Sequence, residues 1–287
     1  MRNVIITGGN SGLGFETAKK VAMSRGYRVV LACRDQQRAR RAVEEIMSIT
    51  GNADVAAIPL DTASLASVRE TAAAYEDGGF GEIHALLLNA GVSGQHDGVT
   101  VDGMDVVFQT NHLGHFLLAN LLLPLMAENG KVFSTTSDMH DPPMGEMEWP
   151  GAEALAHPRG ELALSRMRYS YSKLANIYFV YELARRLGAA DSRVTANAFN
   201  PGMMQTGFAS VGRAQAAMVK RAMPHRFGDL AKSSDAYARL VVDDALAVTS
   251  GNYYDRSTTA VPSSGLSYDE DNARELWVES MRLCGLQ

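Results

Sequence analysis

Residues 1–14 read Met1-Arg2-Asn3-Val4-Ile5-Ile6-Thr7-Gly8-Gly9-Asn10-Ser11-Gly12-Leu13-Gly14. The run from Asn3 to Thr7 is short and mostly β-branched, which predicts a buried strand. Glycines follow at once, and the residues after them carry the apolar spacing of a helix. A glycine turn between a strand and a helix lets the backbone approach a pyrophosphate, which the helix N-terminus then faces. The stretch therefore predicts a dinucleotide-binding site at the start of the chain.

The composition is that of an ordinary globular protein. The chain has 287 residues, of which 46% are hydrophobic and 21% charged, and its net charge is −5. Without a basic stripe, this charge argues against nucleic acid as a partner. Cys33 and Cys284 lie far apart with no metal-ligand spacing, so we expect neither a disulfide framework nor a bound metal. We expect a soluble cytoplasmic protein, because the chain leads directly into a core strand and no apolar stretch is long enough to span a bilayer.

Strand and helix patterns alternate along the rest of the chain. The alternation predicts an α/β fold, a single Rossmann-like, doubly wound parallel sheet of about seven strands flanked by helices. Since no linker rich in proline, serine or glycine interrupts it, we predict one dinucleotide-binding domain over residues 1–287. The longest predicted helix runs from about Asp102 to Met126, and another runs from Arg166 to Leu187 and ends at Gly188.

Two segments, near 138–165 and 203–230, do not fit the alternation. Each follows the C-terminal end of a predicted strand, which is where open α/β sheets bind ligands. Long irregular segments at that edge usually cover a site, so we predict that these are the substrate loops. The second loop is rich in methionine between Met203 and Met223, which suits an adaptable apolar pocket and equally suits the packing of a surface helix.

The residues after the second predicted strand bear on the choice of cofactor. In a dinucleotide fold, an acid at this place hydrogen-bonds the ribose 2′-hydroxyl of NAD, whereas an arginine accommodates the 2′-phosphate of NADP. If the strand ends at Ala32, Arg34 faces the ribose, and its fork of donors can bind a phosphate. We therefore predict NADPH, although a shift of one residue would bring Asp35 to the ribose and favour NADH.

Tyr169 and Lys173 are four residues apart in a predicted helix, so their side chains project from one face. A neighbouring ammonium favours the phenolate, and we expect it to lower the pKa of Tyr169 from about 10 toward neutrality. Tyr171 is two residues from the lysine and faces elsewhere. Ser137 ends a hydroxyl-rich strand at the ligand edge, where such residues are also ordinary turn chemistry. Asn111 lies in a long apolar stretch, where a buried amide must either be hydrogen-bonded within the protein or have a role in function.

Seven short motifs recur along the chain in a characteristic order. They are Thr7-Gly8-x3-Gly12-x-Gly14, Asp61, Asn89-Ala90-Gly91, Asn111, Ser137, Tyr169-x3-Lys173 and Pro201-Gly202. In order and approximate spacing the chain resembles the short-chain dehydrogenase/reductase family over essentially its whole length. The stretches 31–35, 111–116 and 172–176 are similar to the branch that holds retinol dehydrogenases and light-dependent protochlorophyllide reductases.

The resemblance implies roles for individual residues. Tyr169 would pass a proton to the substrate oxygen, Lys173 would lower the pKa of that tyrosine and bind the nicotinamide ribose, and Ser137 would hydrogen-bond the carbonyl oxygen. Asn111 would hold a water that joins Lys173 to solvent, which completes an implied catalytic set of four. The implied cofactor-binding residues are Gly8, Asn10, Ser11, Gly12, Leu13, Gly14, Arg34, Asp61, Thr62, Asn89, Ala90, Gly91, Tyr169, Lys173, Pro201, Gly202 and Thr206.

These residues together predict an NADPH-dependent oxidoreductase, a ketone or aldehyde reductase that acts on an apolar small molecule. The alternatives are a double-bond reductase like protochlorophyllide reductase and a non-catalytic NADPH-binding regulatory protein. The segment between Ser137 and Tyr169 is too short for the insertion of the protochlorophyllide branch, and a regulatory protein has no need of all four catalytic candidates. The resemblance also implies that a homodimer could form through the helices that begin near Asn111 and Tyr169, although Phe116 and its neighbours could equally cover the sheet.

Overall fold

The computed structural model describes residues 1–93, 96–142, 147–164, 167–204, 221 and 223–286. Within these residues one sheet of eight strands forms the centre of the protein. The strands are β1 (Arg2–Thr7), β2 (Tyr27–Cys33), β3 (Val55–Pro59), β4 (Ile83–Leu88), β5 (Met126–Thr135), β6 (Thr195–Asn200), β7 (Tyr253–Asp255) and β8 (Ala260–Val261). Their order is β3-β2-β1-β4-β5-β6-β7-β8, and every neighbouring pair is parallel except β7 and β8. The predicted doubly wound α/β fold is confirmed, with one strand more than expected, because the exposed two-residue β8 carries no apolar run.

Helices cover both faces of the sheet. They are α1 (Gly12–Ala22), α2 (Gln36–Thr50), α3 (Leu65–Asp77), α4 (Val106–Phe108), α5 (Gly114–Leu122), α6 (Ala152–Ala156), α7 (Gly160–Leu164), α8 (Met167–Ala189), α9 (Leu230–Val242) and α10 (Glu270–Leu283). Alternate strand residues enter two cores, so that Ile5 packs with α3, α5, α8 and α10, whereas Val4 and Ile6 pack with α1, α2 and α9. Both faces are buried, which is why the strands read as nearly continuous apolar runs.

Two predicted helix boundaries were wrong. The helix expected from about Asp102 begins only at Val106, because Asp105 caps it through hydrogen bonds from the backbone N–H groups of Val107 and Phe108. It is also discontinuous, since a π-helical turn at Gln109–Leu113 separates α4 from α5, and a 3-10 turn follows at Leu123–Leu125.

Helix α8 does not end at Gly188 but runs on to Ala189. The left-handed residue that turns the chain is Asp191, with a φ of 56°, and Ser192 N–H donates back to the Leu187 carbonyl at 2.9 Å. Aspartate tolerates the left-handed conformation better than most residues, so it can end a helix where glycine is the usual choice.

Helix α10 packs on α8, one of the two helices that the resemblance offered for a dimer, and its Trp277 also reaches Phe116 of α5. The Trp277 ring meets Phe116 edge to face at a centroid distance of 5.0 Å and stacks on Phe179 at 6.1 Å. The Arg186 guanidinium lies 4.4 Å from the centroid of the Trp277 ring. Phe116 is therefore buried by the chain's own C-terminal helix. Among the described residues, none of the helices combines the length and apolar character needed to cross a bilayer.

We predict that Trp277→Ala lowers the free energy of unfolding by about 3–5 kcal/mol, because it removes a buried aromatic ring that packs on two helices. Urea denaturation followed by circular dichroism measures the change. Val278, the next residue on α10, is 64% exposed, and Val278→Ala should stay within about 0.5 kcal/mol. Equal losses from the two substitutions would contradict the packing role of Trp277.

Candidate active site

The candidate residues gather at the C-terminal edge of the sheet. Strands β1, β4, β5 and β6 are successive neighbours and parallel, so the segments that follow them lie side by side. Gly8, Asn89 and Pro201 come directly after three of these strands, and Ser137 lies two residues after the fourth. This edge is where open α/β sheets bind their ligands.

Thr7 holds the glycine turn against the segment after β4. Its hydroxyl accepts the backbone N–H groups of Asn89 and Ala90, both at 2.8 Å, and the Asn89 amide donates to the Thr7 carbonyl at 2.9 Å. Gly8 adopts a left-handed φ of 65°. A Cβ at Gly14 would lie 2.6 Å from Asn89 Nδ2 and 2.7 Å from the Gly8 carbonyl oxygen. The turn is therefore too tight for any side chain at Gly14.

The N-terminus of α1 fits a phosphate. Ser11 is the N-cap residue, its side chain makes no capping bond within the described residues, and the first turn of α1 has no acidic residue. Free N–H groups and the positive end of a helix dipole favour an anion at such a place. The glycine turn beside it leaves the backbone open to close approach, so the residues present fit the pyrophosphate of a dinucleotide.

Arg34 and Asp35, the two residues that could contact the ribose, both follow the end of β2. Strand β2 ends at Cys33 and not at Ala32 as assumed from the sequence, so Arg34 is the first residue after it and Asp35 the second. The position along the chain therefore does not decide between them, and their contacts must. Arg34 is exposed and without an ion pair in the described part of the chain. Asp35 caps α2, where its carboxylate accepts the N–H groups of Arg38 and Gln37 at 3.0 Å each, and these bonds hold its pKa below the ordinary value. The acid is thus engaged by its own helix, whereas the Arg34 guanidinium is open to a ligand.

The remaining cofactor candidates line the same edge. Asp61 accepts the Ala63 N–H at 2.9 Å, and Thr62 is buried beneath Gly114. Leu13 packs into the core between α1 and the sheet, so only its backbone can face a ligand. Gly202 N–H donates to Asn200 Oδ1 at 2.9 Å, and Pro201 accepts a hydrogen bond from Ser233. Thr206 lies outside the described residues.

Tyr169, Lys173 and Ser137 come together beside this edge. The Lys173 ammonium lies 5.5 Å from the centroid of the Tyr169 ring and donates to the Thr135 carbonyl at 3.1 Å. The Ser137 hydroxyl is hydrogen-bonded to the Tyr169 phenol. Ser137 Oγ also accepts the Met139 N–H at 3.2 Å, which leaves its own proton to be donated. The hydroxyls of Ser137 and Tyr169 therefore lie within hydrogen-bonding distance of each other.

The predicted lowering of the tyrosine pKa was wrong. Burial raises the pKa of Tyr169 to about 12, although the hydrogen bond from Ser137 acts in the opposite direction. Burial also lowers the pKa of Lys173 to about 8. The low-dielectric surroundings disfavour the phenolate and the ammonium alike, and this desolvation outweighs the expected effect of the lysine. Tyr169 is consequently protonated at pH 7 and suited to give up a proton.

Asn111 lies in the π-helical turn and joins α8 to the segment after β4. Its Oδ1 accepts the Val92 N–H at 2.7 Å, and its Nδ2 donates to Ser172 Oγ at 3.0 Å. Ser172 in turn donates to the Tyr169 carbonyl at 2.7 Å. A Cβ at Gly91 would lie 3.0 Å from Asn111 Oδ1, so the contact is close. The Asn111 side chain is satisfied by the protein, and it braces the turn that carries Tyr169.

His140 supports Ser137, a contact that was not predicted from the sequence. Its Nε2 accepts the Ser264 N–H at 3.1 Å, so Nδ1 must carry the proton that it donates to the Ser137 carbonyl at 2.7 Å. The ring is buried against Tyr253 at 5.3 Å. Ser264 is 124 residues away in sequence, and the only local signal was a histidine three residues after Ser137. Because histidines are also common in exposed loops, this signal does not reveal a buried contact.

The two predicted substrate loops meet at their described ends. Arg226 donates to the carbonyls of Asp138 and Asp141 at 3.1 and 3.0 Å, and its own carbonyl accepts the Met203 N–H at 2.7 Å. The first loop folds into a 3-10 turn at Asp138–His140 and the short helices α6 and α7. Most of the methionine-rich part of the second loop, including residues 205–220, lies outside the described residues.

The chain is similar to oxidoreductases along its whole length. A family model described as short chain dehydrogenase matches residues 2–149. Retinol dehydrogenase 13 of Homo sapiens is 35% identical over 293 residues, which cover 100% of this chain and 85% of that protein. The WW domain-containing oxidoreductase of Homo sapiens is 33% identical over 291 residues, which cover 98% of this chain and 67% of that protein.

Solved structures share the fold. An uncharacterised protein from Mycobacterium paratuberculosis superposes with a TM-score of 0.75 at 32% identity, covering 99% of this chain and 94% of its own. A short chain dehydrogenase from Burkholderia cenocepacia, solved in complex with NADP, superposes with a TM-score of 0.69 at 23% identity, covering 90% and 98% of the two chains.

The close approach at Gly14 leads to a prediction. Gly14→Ala should weaken NADPH binding by at least about tenfold, because the new methyl group must push Asn89 and Gly8 apart. Titration of NADPH fluorescence measures the affinity. Gly188→Ala is the control, since Gly188 is an exposed helical glycine with open space around it. It should raise stability by up to about 1 kcal/mol and leave NADPH binding unchanged; equal affinities for the two variants would contradict the role of the turn.

Proposed function

The chain belongs to the short-chain dehydrogenase/reductase family, and we propose that it is an NADPH-dependent reductase of an apolar ketone or aldehyde. The observation that carries this proposal is the meeting of two hydroxyl donors, Ser137 and Tyr169, beside Lys173 at the edge where the glycine turn lies. The relatives named retinol dehydrogenases support a substrate that is an alcohol or carbonyl on an apolar body.

In this proposal the protein stabilises negative charge on the substrate oxygen. NADPH, when bound, supplies the hydride. Ser137 and Tyr169 donate hydrogen bonds to the oxygen where charge develops, and Tyr169 then transfers its proton to it. A pKa of about 12 keeps this proton in place until the charge forms. Lys173, mostly protonated at pH 7 with a pKa of about 8, faces the phenolate that remains.

NADPH is proposed over NADH because of the residues after β2. Asp35 Oδ1 accepts two N–H groups of α2, and its Oδ2 lies 3.3 Å from Arg38 Nε, so both oxygens already have partners within the protein. Arg34 stands exposed beside it with five N–H donors, which match the oxygens of a 2′-phosphate.

Three broader proposals accompany the reaction. We propose that residues 1–287 act as one domain, supported by the single sheet that runs from β1 to β8. We propose that Phe116 does not contribute to a homodimer interface, because Trp277 of α10 already packs on it. The cytoplasmic location remains a prediction, consistent with two buried, free cysteines.

Tyr169→Phe removes the proposed proton donor and keeps the ring. We expect kcat for carbonyl reduction to fall by about 10²–10⁴-fold, while NADPH affinity stays within about twofold. The assay follows NADPH consumption with a panel of apolar and polar aldehydes and ketones. Tyr171→Phe, two residues along α8, is the control and should retain full activity. NADPH binding by the wild-type protein without turnover of any member of the panel would favour a non-catalytic role, and faster turnover of the polar members would contradict an apolar pocket.

Arg34→Ala tests the cofactor. Loss of a charge-assisted contact worth about 1.5–3 kcal/mol should weaken NADPH binding by about 10–100-fold and leave NADH binding unchanged. The control is Arg40→Ala, which removes an exposed arginine of α2 and should alter neither affinity. The proposal of NADPH fails if the wild-type protein binds both cofactors equally or if Arg34→Ala weakens both to the same extent.

A further inference from the structure

His115 lies between the glycine turn and the turn that carries Asn111. It occupies the first turn of α5 and is 2% exposed. Its Nε2 lies 2.9 Å from the Thr7 hydroxyl, and its Nδ1 lies 3.2 Å from the Asn111 carbonyl oxygen. One buried ring thus contacts both Thr7, which holds the glycine turn, and Asn111, whose side chain is linked to Tyr169 through Ser172.

The hydrogen bonds around Thr7 decide the tautomer of this ring. The Thr7 hydroxyl already accepts the N–H groups of Asn89 and Ala90, so what remains is its own proton. His115 Nε2 at 2.9 Å is a closer acceptor for that proton than the Leu87 carbonyl at 3.4 Å. With Nε2 accepting, the ring proton is on Nδ1 and is donated to the Asn111 carbonyl. Every polar group in the chain of contacts is then satisfied.

The ring is also held neutral. Burial lowers the pKa of His115 to about 4, and the positive charge of Lys173 acts in the same direction, although the bond to the Asn111 carbonyl opposes them. At pH 7 the imidazole therefore keeps one donor and one acceptor, as the two contacts require.

We propose that His115 is a positioning residue that fixes the cofactor turn relative to the catalytic turn. Its contact with Thr7 holds the hydroxyl that organises the glycine turn, and so governs the affinity for the dinucleotide. Its contact with Asn111 holds the turn whose side chain reaches Tyr169 through Ser172, and so governs the rate once cofactor is bound. The inference deepens the proposed function and rests on the cofactor binding at the glycine turn.

His112 provides a matched control on the same helical run. It is 1% exposed, and burial lowers its pKa to about 3. Its Nε2 lies 2.9 Å from Ser280 Oγ on α10, and its ring packs on Phe108 and Phe116 at 5.2 and 5.9 Å. The ring is also hydrogen-bonded to the side chain of Asn176, whose amide donates to the Thr135 carbonyl. Removal of this histidine disturbs the core in a comparable way and breaks no contact with Thr7 or Asn111.

Two substitutions separate the two contacts of His115. Asparagine places an amide N–H near the position of Nδ1 and loses the distant acceptor, whereas glutamine places an amide oxygen near Nε2 and loses the near donor. His115→Asn should weaken NADPH binding by about tenfold with kcat at saturating NADPH within about twofold, and His115→Gln should lower kcat by about tenfold with binding within about twofold. Fluorescence titration measures the affinity for NADPH. The rate of NADPH consumption measures kcat, with an aldehyde or ketone of the panel that the wild-type protein reduces.

His112→Asn and His112→Gln should lower the melting temperature like the His115 variants and leave NADPH affinity and kcat unchanged. If both His115 variants behave as these controls do, the inference is overturned while the proposed function stands. A wild-type protein that binds no NADPH overturns both. If the His115 variants do not fold, the ring nitrogens of wild-type His115 are measured by NMR instead. A proton on Nδ1, unchanged between pH 7 and about pH 5, supports the inference, and a proton on Nε2 overturns it, because Thr7 could then not donate to that atom.

Discussion

The side chain and carbonyl of Thr7 hold the ends of β1 and β4 together, and the rest of the site depends on this junction. Its hydroxyl accepts two backbone N–H groups from Asn89 and Ala90, and its carbonyl accepts the Asn89 amide. A hydroxyl that receives two donors can give its proton in only one further direction, and here that direction leads to His115. The glycine turn and the turn of Asn111 are thereby parts of one buried hydrogen-bond network. The loss of one hydrogen bond in such a network also weakens the neighbouring bonds.

Burial sets the pKa values of the two proposed catalytic residues on α8. Tyr169 and Lys173 both lie at the base of α8, where desolvation raises the pKa of the phenol and lowers the pKa of the ammonium. Burial thus favours the neutral form of each group, and the tyrosine is protonated at pH 7. In the reaction proposed above, this proton is the one that Tyr169 gives to the substrate oxygen.

Contacts from distant parts of the chain hold the site in place. His140 connects the Ser137 turn to Ser264, and Arg226 connects the segment after β6 to Asp138 and Asp141. Trp277 of α10 packs on Phe116 of α5 and on Phe179 of α8. Each of these residues reads in the sequence as an ordinary loop or surface-helix residue. Their positions around the site emerge only from the packing of the sheet and its helices.

The sequence alone determined the α/β architecture, the strand–glycine–helix start and the order of the family motifs, because these are local patterns whose spacing survives in one dimension. Strand β4 at Ile83–Leu88 and the capping by Asp35 could be predicted for the same reason, since apolar runs and caps act over a few residues. The tertiary structure decided the pKa of Tyr169, which follows from burial and not from the distance to Lys173 along a helix. It also decided the π-helical turn at Asn111 and the contacts of His115 and His140, because their partners are brought close only when strands far apart in sequence become neighbours in the sheet.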